Sequence, residues 1–169
     1  SYDVDITVVG GGPAGVAAAF QAARSGKSVL VIEQMNCLGG ITTAGLHGHI
    51  CCYDAWHTNH IRVVGGTCYD VAMEAVRNGH GTFNGYGADF EVEWFKLLLE
   101  RELEKYPGLQ VLYYTQFSDV VVEGDRIQYV IIQNKSGRQA VKTKIVIDAS
   151  GDADVAACAG VPYEKGRDE

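Results

Sequence analysis

The sequence predicts an α/β fold, a parallel sheet with helices on both faces and a small antiparallel β-meander. Near the start, "DITVVGGGPAGVAAAF" has the pattern of a strand, a tight glycine turn and a helix. The apolar run "SVLVIE" then predicts a second buried strand, which makes a parallel unit with a right-handed crossover. Three β-type runs separated by turn-like residues predict the meander, at 116–123, 126–134 and 138–144.

Each element follows from a local pattern. The glycine turn separates the first strand from its helix, and Gly26 lies where a helix C-cap is expected. Asp89 is the expected N-cap of a strongly amphipathic helix that Pro107-Gly108 ends. The predicted elements outside the meander are strands at 4–9, 28–33, 110–114 and 144–151 and helices at 13–25, 67–79, 89–106 and 152–159.

Length and composition predict one domain. The chain has 169 residues, of which 47% are hydrophobic and 21% charged, values typical of a globular protein with a core. We therefore expect a single dinucleotide-binding domain over 1–169, incomplete at its C-terminal end. Within it, 34–88 is expected to be an irregular and helical insertion close to the ligand, and 116–144 the meander.

Charge and cysteine usage exclude several classes of function. The formal net charge is −7, which disfavours nucleic acid or a membrane surface as the main partner. The sequence contains neither a signal-peptide pattern nor an apolar run long enough to span a bilayer. Five cysteines without a CxxC spacing argue against a disulfide framework. The sequence therefore predicts a cytoplasmic protein that acts on a small molecule.

The glycine turn predicts a phosphate site. Gly10 permits the tight turn out of the strand, Gly12 lets a pyrophosphate approach the backbone, and Gly15 lets the helix pack on the strand. Free N–H groups at the helix start then face the phosphates. Glu33 ends the next strand, where its carboxylate can accept hydrogen bonds from both ribose hydroxyls and repels a 2′-phosphate. These residues predict FAD or NAD and disfavour NADP.

The order of the later blocks separates these two cofactors. "CLGGITTAGL", "DFEVEWFKLLLERELE" and "NKSGRQAVKTKIVIDASGDADVAACAGVPYE" follow the first βαβ unit, whereas a simple NAD domain continues with further βα repeats. Over nearly its whole length the chain resembles the FAD-dependent oxidoreductases of the glutathione-reductase-like superfamily, and more closely the fumarate-reductase-like group. The resemblance implies FAD.

The same resemblance assigns roles to positions in this sequence. Around the phosphates and ribose, Glu33 would hold the adenosine ribose with Gln34 beside it, and the pyrophosphate would be wrapped by Gly10, Gly12, Pro13, Ala14 and Gly15. The loop that runs towards the flavin ring would comprise Cys37, Leu38, Gly39, Gly40, Thr42, Thr43, Ala44 and Gly45.

The resemblance also implies two contacts from the second half of the chain. Phe117, at the start of the meander, lies where family members present backbone groups to the adenine. Ala149, Ser150 and Gly151 occupy the family's Ala-Thr-Gly position, with serine in place of threonine, and Asp152 follows. The loop position that carries covalent flavin in some relatives, near Cys37 to Gly40, has no histidine. We therefore expect noncovalent FAD.

A segment rich in cysteine and histidine allows several interpretations. It spans 47–60 and contains His47, His49, Cys51, Cys52, His57 and His60. Its spacing fits no standard zinc pattern, so we predict no metal, although zinc and a redox role for the cysteines stay open. The residues are otherwise expected to line the space where flavin and substrate meet, with His47 closest to the ring. Catalytic residues are not assigned.

Three functions remain open from the sequence. The first is the FAD-binding part of an oxidoreductase that transfers hydride at the flavin. The second is an NAD-dependent dehydrogenase fragment, and the third is a noncatalytic or partner-dependent dinucleotide-binding domain. The sequence begins without Met and ends before the family's last flavin-contacting segment, so we expect a fragment, a processed piece or one half of a split protein. A missing substrate domain, a second chain or a homo-oligomer would then complete it.

Overall fold

A six-stranded mixed sheet forms the centre of the protein. The computed structural model describes residues 2–55 and 61–166. In chain order the elements are β1 Tyr2–Val9, α1 Pro13–Arg24, β2 Val29–Ile32, a 3₁₀ turn Gly40–Thr42, β3 His49–Ile50, β4 Asp54–Ala55, β5 Ile61–Arg62, α2 Thr67–Arg77, β6 Gly81–Phe83, β7 Ala88–Phe90, α3 Val92–Leu103, β8 Leu109–Leu112, β9 Gln116–Glu123, β10 Arg126–Asn134, β11 Gly137–Asp148 and α4 Asp154–Cys158.

The sheet joins a parallel half to the meander. Its strand order is β8-β2-β1-β11-β10-β9, with parallel pairing from β8 to β11 and antiparallel pairing from β11 to β9. The two strands predicted at 138–144 and 144–151 are in fact the single strand β11. Its first half pairs with β10 and its second half with β1. The prediction of two strands was wrong because Lys142-Thr143-Lys144 contains no turn residue and continues the extended backbone.

Both faces of the parallel strands are covered, as the predicted fold class requires. Alternate residues of a strand point to opposite faces. Val8, Val29 and Val31 share a core with α1, α2 and α3. On the other face Leu30 and Ile32 pack with meander residues and with α4 through Val155. The second face therefore carries one short helix and the meander.

The helix predicted at 89–106 is shorter than expected. It begins at Val92 with Glu91 as its N-cap, and it ends at Leu103. Asp89 is not the N-cap, because Ala88–Phe90 is a strand that pairs with both β3 and β6. As a strand, these residues pair their backbone N–H and C=O groups with β3 and β6. The first N–H groups of a helix would have no such intrahelical partners. In the described part of the chain no helix is long and apolar enough to cross a membrane.

Candidate functional site

A cavity lies at the carboxyl edge of the parallel strands. Because β1, β2 and β11 run in the same direction, the residues that follow them meet there, as in other open α/β sheets. Gly10, Glu33 and Ala149 are those residues, and all three line a cavity of about 430 Å³. The start of the meander closes one side of the cavity through Phe117.

The cavity brings together residues from all the predicted segments. The predicted residues that line it are Gly10, Gly12, Pro13, Ala14, Glu33, Gln34, Gly40, Phe117, Ala149, Ser150 and Gly151. The other predicted residues are outside the lining: Gly15, Cys37, Leu38, Gly39, Thr42, Thr43, Ala44, Gly45 and Asp152. A cofactor contact by each of these residues stays a prediction.

The glycines of the turn have two different physical roles. A Cβ on Gly10 would lie 2.2 Å from the carbonyl oxygen of Ala149, and Gly10 has a φ of +98°. A Cβ on Gly15 would lie 1.8 Å from the carbonyl oxygen of Gly10. These two glycines therefore allow β1, α1 and the end of β11 to pack closely. Around the Cβ position of Gly12, by contrast, no described atom lies within 4 Å.

The start of α1 offers N–H groups to an anion. Gly12 is the N-cap residue and Pro13 the first helical residue, and no described side chain caps this end. The N–H groups of a first helical turn have no intrahelical partners, and the helix dipole favours negative charge there. Gly12, Pro13 and Ala14 line the cavity, so a phosphate group at this point would meet backbone N–H donors of the first turn, to which Pro13 contributes none.

Glu33 is held in place by the backbone on two sides. Its side chain is buried, with 4% of the residue exposed. One carboxylate oxygen accepts a hydrogen bond from Gly11 N at 2.7 Å and the other from Met35 N at 2.6 Å. An ionised carboxylate can accept about four hydrogen bonds, so each oxygen keeps acceptor capacity for a ligand hydroxyl. The arrangement fits a ribose.

The loop after Glu33 is docked on the glycine turn. Gly39 N donates to Gly11 O at 2.8 Å, and a Cβ on Gly40 would lie 2.9 Å from the Cα of Gly12. The two threonine hydroxyls bond within the loop, from Thr42 to Gly39 O at 2.7 Å and from Thr43 to Leu38 O at 2.5 Å. The buried threonines therefore fix the loop shape, while Gly40 reaches the cavity.

Asp148 organises the turn that follows β11, and the sequence analysis missed it. Its carboxylate accepts hydrogen bonds from Ser150 Oγ at 2.6 Å and from Ala156 N at 2.9 Å. Ser150 Oγ also accepts from Asp154 N at 2.9 Å. Burial opposes ionisation of Asp148, but these hydrogen bonds outweigh it and lower its pKa. An aspartate two residues before a serine is a turn signal that could have indicated it.

We expect Asp148→Asn to lower the free energy of unfolding by about 1 kcal/mol at pH 7. The substitution replaces an exposed, charged acceptor with an amide, which has only one oxygen to accept these hydrogen bonds. The pKa of Asp148 is lowered from 3.8, so its contribution is present above that pH and is lost as the pH falls through the folded-state value. Urea unfolding at pH 7 and below pH 4 measures this. Between these two pH values the free energy of unfolding should change less for Asp148→Asn than for Asp152→Asn. An equal change in the two variants would contradict the role given to Asp148.

Several lining residues were not predicted. They are Val9, Ile32, Met35, Ile41, Thr115, Gln116 and Asp154. Thr115 is the most informative, because it is buried and its N–H donates to Glu33 O at 3.0 Å. This bond places the start of the meander beside the end of β2. The sequence feature that could have indicated Thr115 is its position two residues before Phe117.

The cysteine- and histidine-rich segment lies outside the lining. His49 Nδ1 is 2.8 Å from Asp89 Oδ1, and Cys51 and Cys52 are exposed. His57 and His60 fall outside the described residues. Over 2–55 and 61–166, no group of three or more His, Cys, Asp or Glu side chains could hold a metal ion. The proximity of His47 to a flavin ring stays a prediction.

A helix start open to an anion and a fixed carboxylate at one sheet edge are the features of a dinucleotide-binding fold. The profile of the family described as FAD dependent oxidoreductase matches residues 5–169. The chain therefore belongs to the FAD dependent oxidoreductases, a family of flavin enzymes. FAD is accordingly the cofactor supported here, and the resemblance found in the sequence is confirmed.

Two curated relatives show how much of a longer protein this chain matches. It is 34% identical over 131 residues to a thiamine thiazole synthase of Aeropyrum pernix, covering 76% of this chain and 43% of that protein. It is 26% identical over 164 residues to a digeranylgeranylglycerophospholipid reductase of Methanosarcina acetivorans, covering 87% of this chain and 37% of that protein. The chain thus spans less than half the length of both relatives.

A solved structure supports the fold. The THI4 protein of Thermovibrio ammonificans matches with a TM-score of 0.64 at 19% identity, and the match covers 92% of this chain and 61% of that one. This likeness agrees with the observed mixed sheet and its helices.

Proposed function

We propose that this chain is the FAD-binding part of a flavin-dependent oxidoreductase and holds FAD noncovalently in the cavity of about 430 Å³. The observation that carries the proposal is the open face of Gly12. Neighbouring glycines at 10, 11, 15 and 40 would each place a Cβ within 3 Å of protein atoms. At Gly12 the same space is open at the start of α1, so it can receive a pyrophosphate.

Different residues of the chain would bind different parts of FAD. Backbone N–H groups at the start of α1 would bind the pyrophosphate, and Glu33 would orient the adenosine ribose through its free acceptor sites. The loop docked on Gly11 and Gly12 covers the glycine turn. Bound FAD supplies hydride and electron transfer, and the protein supplies orientation and electrostatics.

Noncovalent binding is supported by the composition of the cavity lining. Among the described residues the lining includes no histidine or cysteine, the side chains available for a covalent link. Cys37 lies in the loop that follows Glu33, but its thiol is buried and its Sγ lies 3.7 Å from Thr43 Oγ1.

A second candidate is a domain that binds FAD but reacts only with a partner. The cavity lining accounts for cofactor binding, and no catalytic residue is assigned within it. We propose a small organic molecule as substrate, and a missing substrate domain, a second chain or a second copy of this chain as the completing partner. Neither nucleic acid nor a membrane is proposed as a partner, since the net charge is −7. A cytoplasmic location is proposed from the five free cysteines.

Titration of the chain with FAD tests the proposal. We expect the added flavin to co-elute with the protein on gel filtration and its visible absorption bands to shift on binding. Denaturation should release all flavin, as the noncovalent site requires, and NAD should not compete. Failure of the folded chain to take up FAD would contradict the proposal, whereas uptake of FAD without flavin-dependent turnover of a small organic donor would favour the partner-dependent domain.

A further inference from the structure

A pair of adjacent thiols lies on the surface next to β3. Cys51 and Cys52 follow directly after Ile50, and both residues are exposed. Their sulfur atoms are 3.6 Å apart. The described lining of the FAD cavity contains neither of them. The pair is therefore accessible to a solute without passing through the cofactor site.

Tyr86 forms hydrogen bonds with the pair of thiols. Its hydroxyl oxygen lies 3.0 Å from Cys52 Sγ. This hydrogen bond to Cys52 raises the pKa of Tyr86 to about 12, so the phenol keeps its proton near neutral pH and can donate it to the sulfur. A phenol that donates to sulfur stabilises a thiolate at Cys52.

The two thiols consequently differ in acidity. Hydrogen bonding with Tyr86, and then with Cys51, lowers the pKa of Cys52. The hydrogen bond to Cys52 raises the pKa of Cys51. Because the thiolate is the nucleophilic form, Cys52 is suited to attack and Cys51 to react second.

The backbone at the pair is constrained as well. Cys52 has a φ of +65°, which few residues other than glycine adopt. Adjacent Cα atoms are about 3.8 Å apart across a trans peptide, below the roughly 4.4–6.8 Å of ordinary disulfides. A disulfide between neighbours is therefore strained and easily reduced, which suits a reversible site.

We propose that Cys51 and Cys52 form a reversible dithiol site that exchanges with low-molecular-weight disulfides and closes to a vicinal disulfide. The Cys52 thiolate attacks one sulfur of the small disulfide and releases one thiolate, which takes up a proton. Cys51 then loses its proton and attacks the Cys52 sulfur, which releases the second small thiol. In total the protein dithiol is oxidised by two electrons, and the small disulfide is reduced to two thiols.

Oxidised glutathione and peptide mass spectrometry test the site in the full chain. For wild type we expect the peptide with both cysteines to lose two hydrogen masses, with the loss located at residues 51–52, and dithiothreitol to restore them. Cys51→Ser should trap a stable glutathione adduct at Cys52. Cys51 in Cys52→Ser should react at least about tenfold more slowly than Cys52 in Cys51→Ser, because the 3.0 Å contact with the Tyr86 hydroxyl is made by Cys52.

Cys158 provides the matched control, since it is a single exposed thiol whose pKa is raised, first by desolvation and then by Asp119 and Asp154. Tyr86→Phe should move the pH profile of Cys52 alkylation to higher pH and leave that of Cys158 unchanged. All variants should take up FAD like wild type, which shows that they are folded. Persistent adducts on wild type without ring closure, or Cys52 reacting no faster than Cys158, would overturn the proposal.

Discussion

Replacing Gly15 with alanine is expected to lower the free energy of unfolding of the cofactor-free chain by about 3 kcal/mol, an overpacking cost. The new Cβ would lie 1.8 Å from Gly10 O and 3.3 Å from the Cβ of Ala149. Rigid backbone cannot move aside as a flexible side chain could, so α1 must shift away from β1. The gain of about 1 kcal/mol in helix propensity from glycine to alanine is smaller than this cost. Urea unfolding followed by circular dichroism measures the change.

Gly12→Ala is the matched control, three residues away in the same turn. Its φ of −68° suits any residue, and around its Cβ position no described atom lies within 4 Å. We expect its stability to remain within about 0.5 kcal/mol of wild type. FAD affinity should nevertheless fall roughly 100-fold, because the methyl group occupies the space of the pyrophosphate. Wild-type stability of Gly15→Ala, or wild-type affinity of Gly12→Ala, would contradict this division of roles.

Glu33→Gln is expected to weaken FAD binding by roughly 10- to 100-fold, the range for losing hydrogen bonds to a charged acceptor. The two carboxylate oxygens now accept from Gly11 N and Met35 N. A glutamine keeps one oxygen and directs its NH₂ group towards one of these N–H donors. One backbone donor then loses its acceptor, and the ribose loses a charged partner. Fluorescence titration of FAD gives the two dissociation constants.

Glu102→Gln controls for the loss of a buried carboxylate. Glu102 is 7% exposed and bonds Arg24 Nη2 at 3.2 Å, linking α3 to α1 away from the cavity lining. Its substitution should reduce stability and leave the FAD dissociation constant unchanged. If Glu33→Gln bound FAD as tightly as wild type, the ribose role of Glu33 would be wrong.

The elements that the sequence predicted well are those set by neighbouring residues. β1, α1 and β2 follow from two apolar runs and a glycine turn, all within the first 33 residues. The start of α3 was wrong because long-range pairing of β7 with β3 and β6 overrides a plausible N-cap. The continuity of β11 was missed for a similar reason, since its two partners, β1 and β10, come from distant parts of the chain.

The site residues likewise fall into those that local spacing predicts and those that depend on long-range contacts. Glycine positions and Glu33 are recognisable from spacing, because a dinucleotide needs them at fixed offsets. Thr115 and Asp148 act through hydrogen bonds whose partners depend on the folded arrangement. The hydroxyls of Thr42 and Thr43 donate within their own loop, which only the folded arrangement reveals, and the contact of these residues with the cofactor stays a prediction.

The pairing of β1 with β11 has a consequence for how the chain folds during synthesis. β1 precedes β11 in the chain and leaves the ribosome before it, so its partner on one side is completed only at Asp148. Until then β1 and β2 present an unpaired edge, which is a site for association with other chains. Contacts between such distant segments also slow folding. The nascent chain thus depends on β11 to pair with β1 and to complete the cofactor cavity.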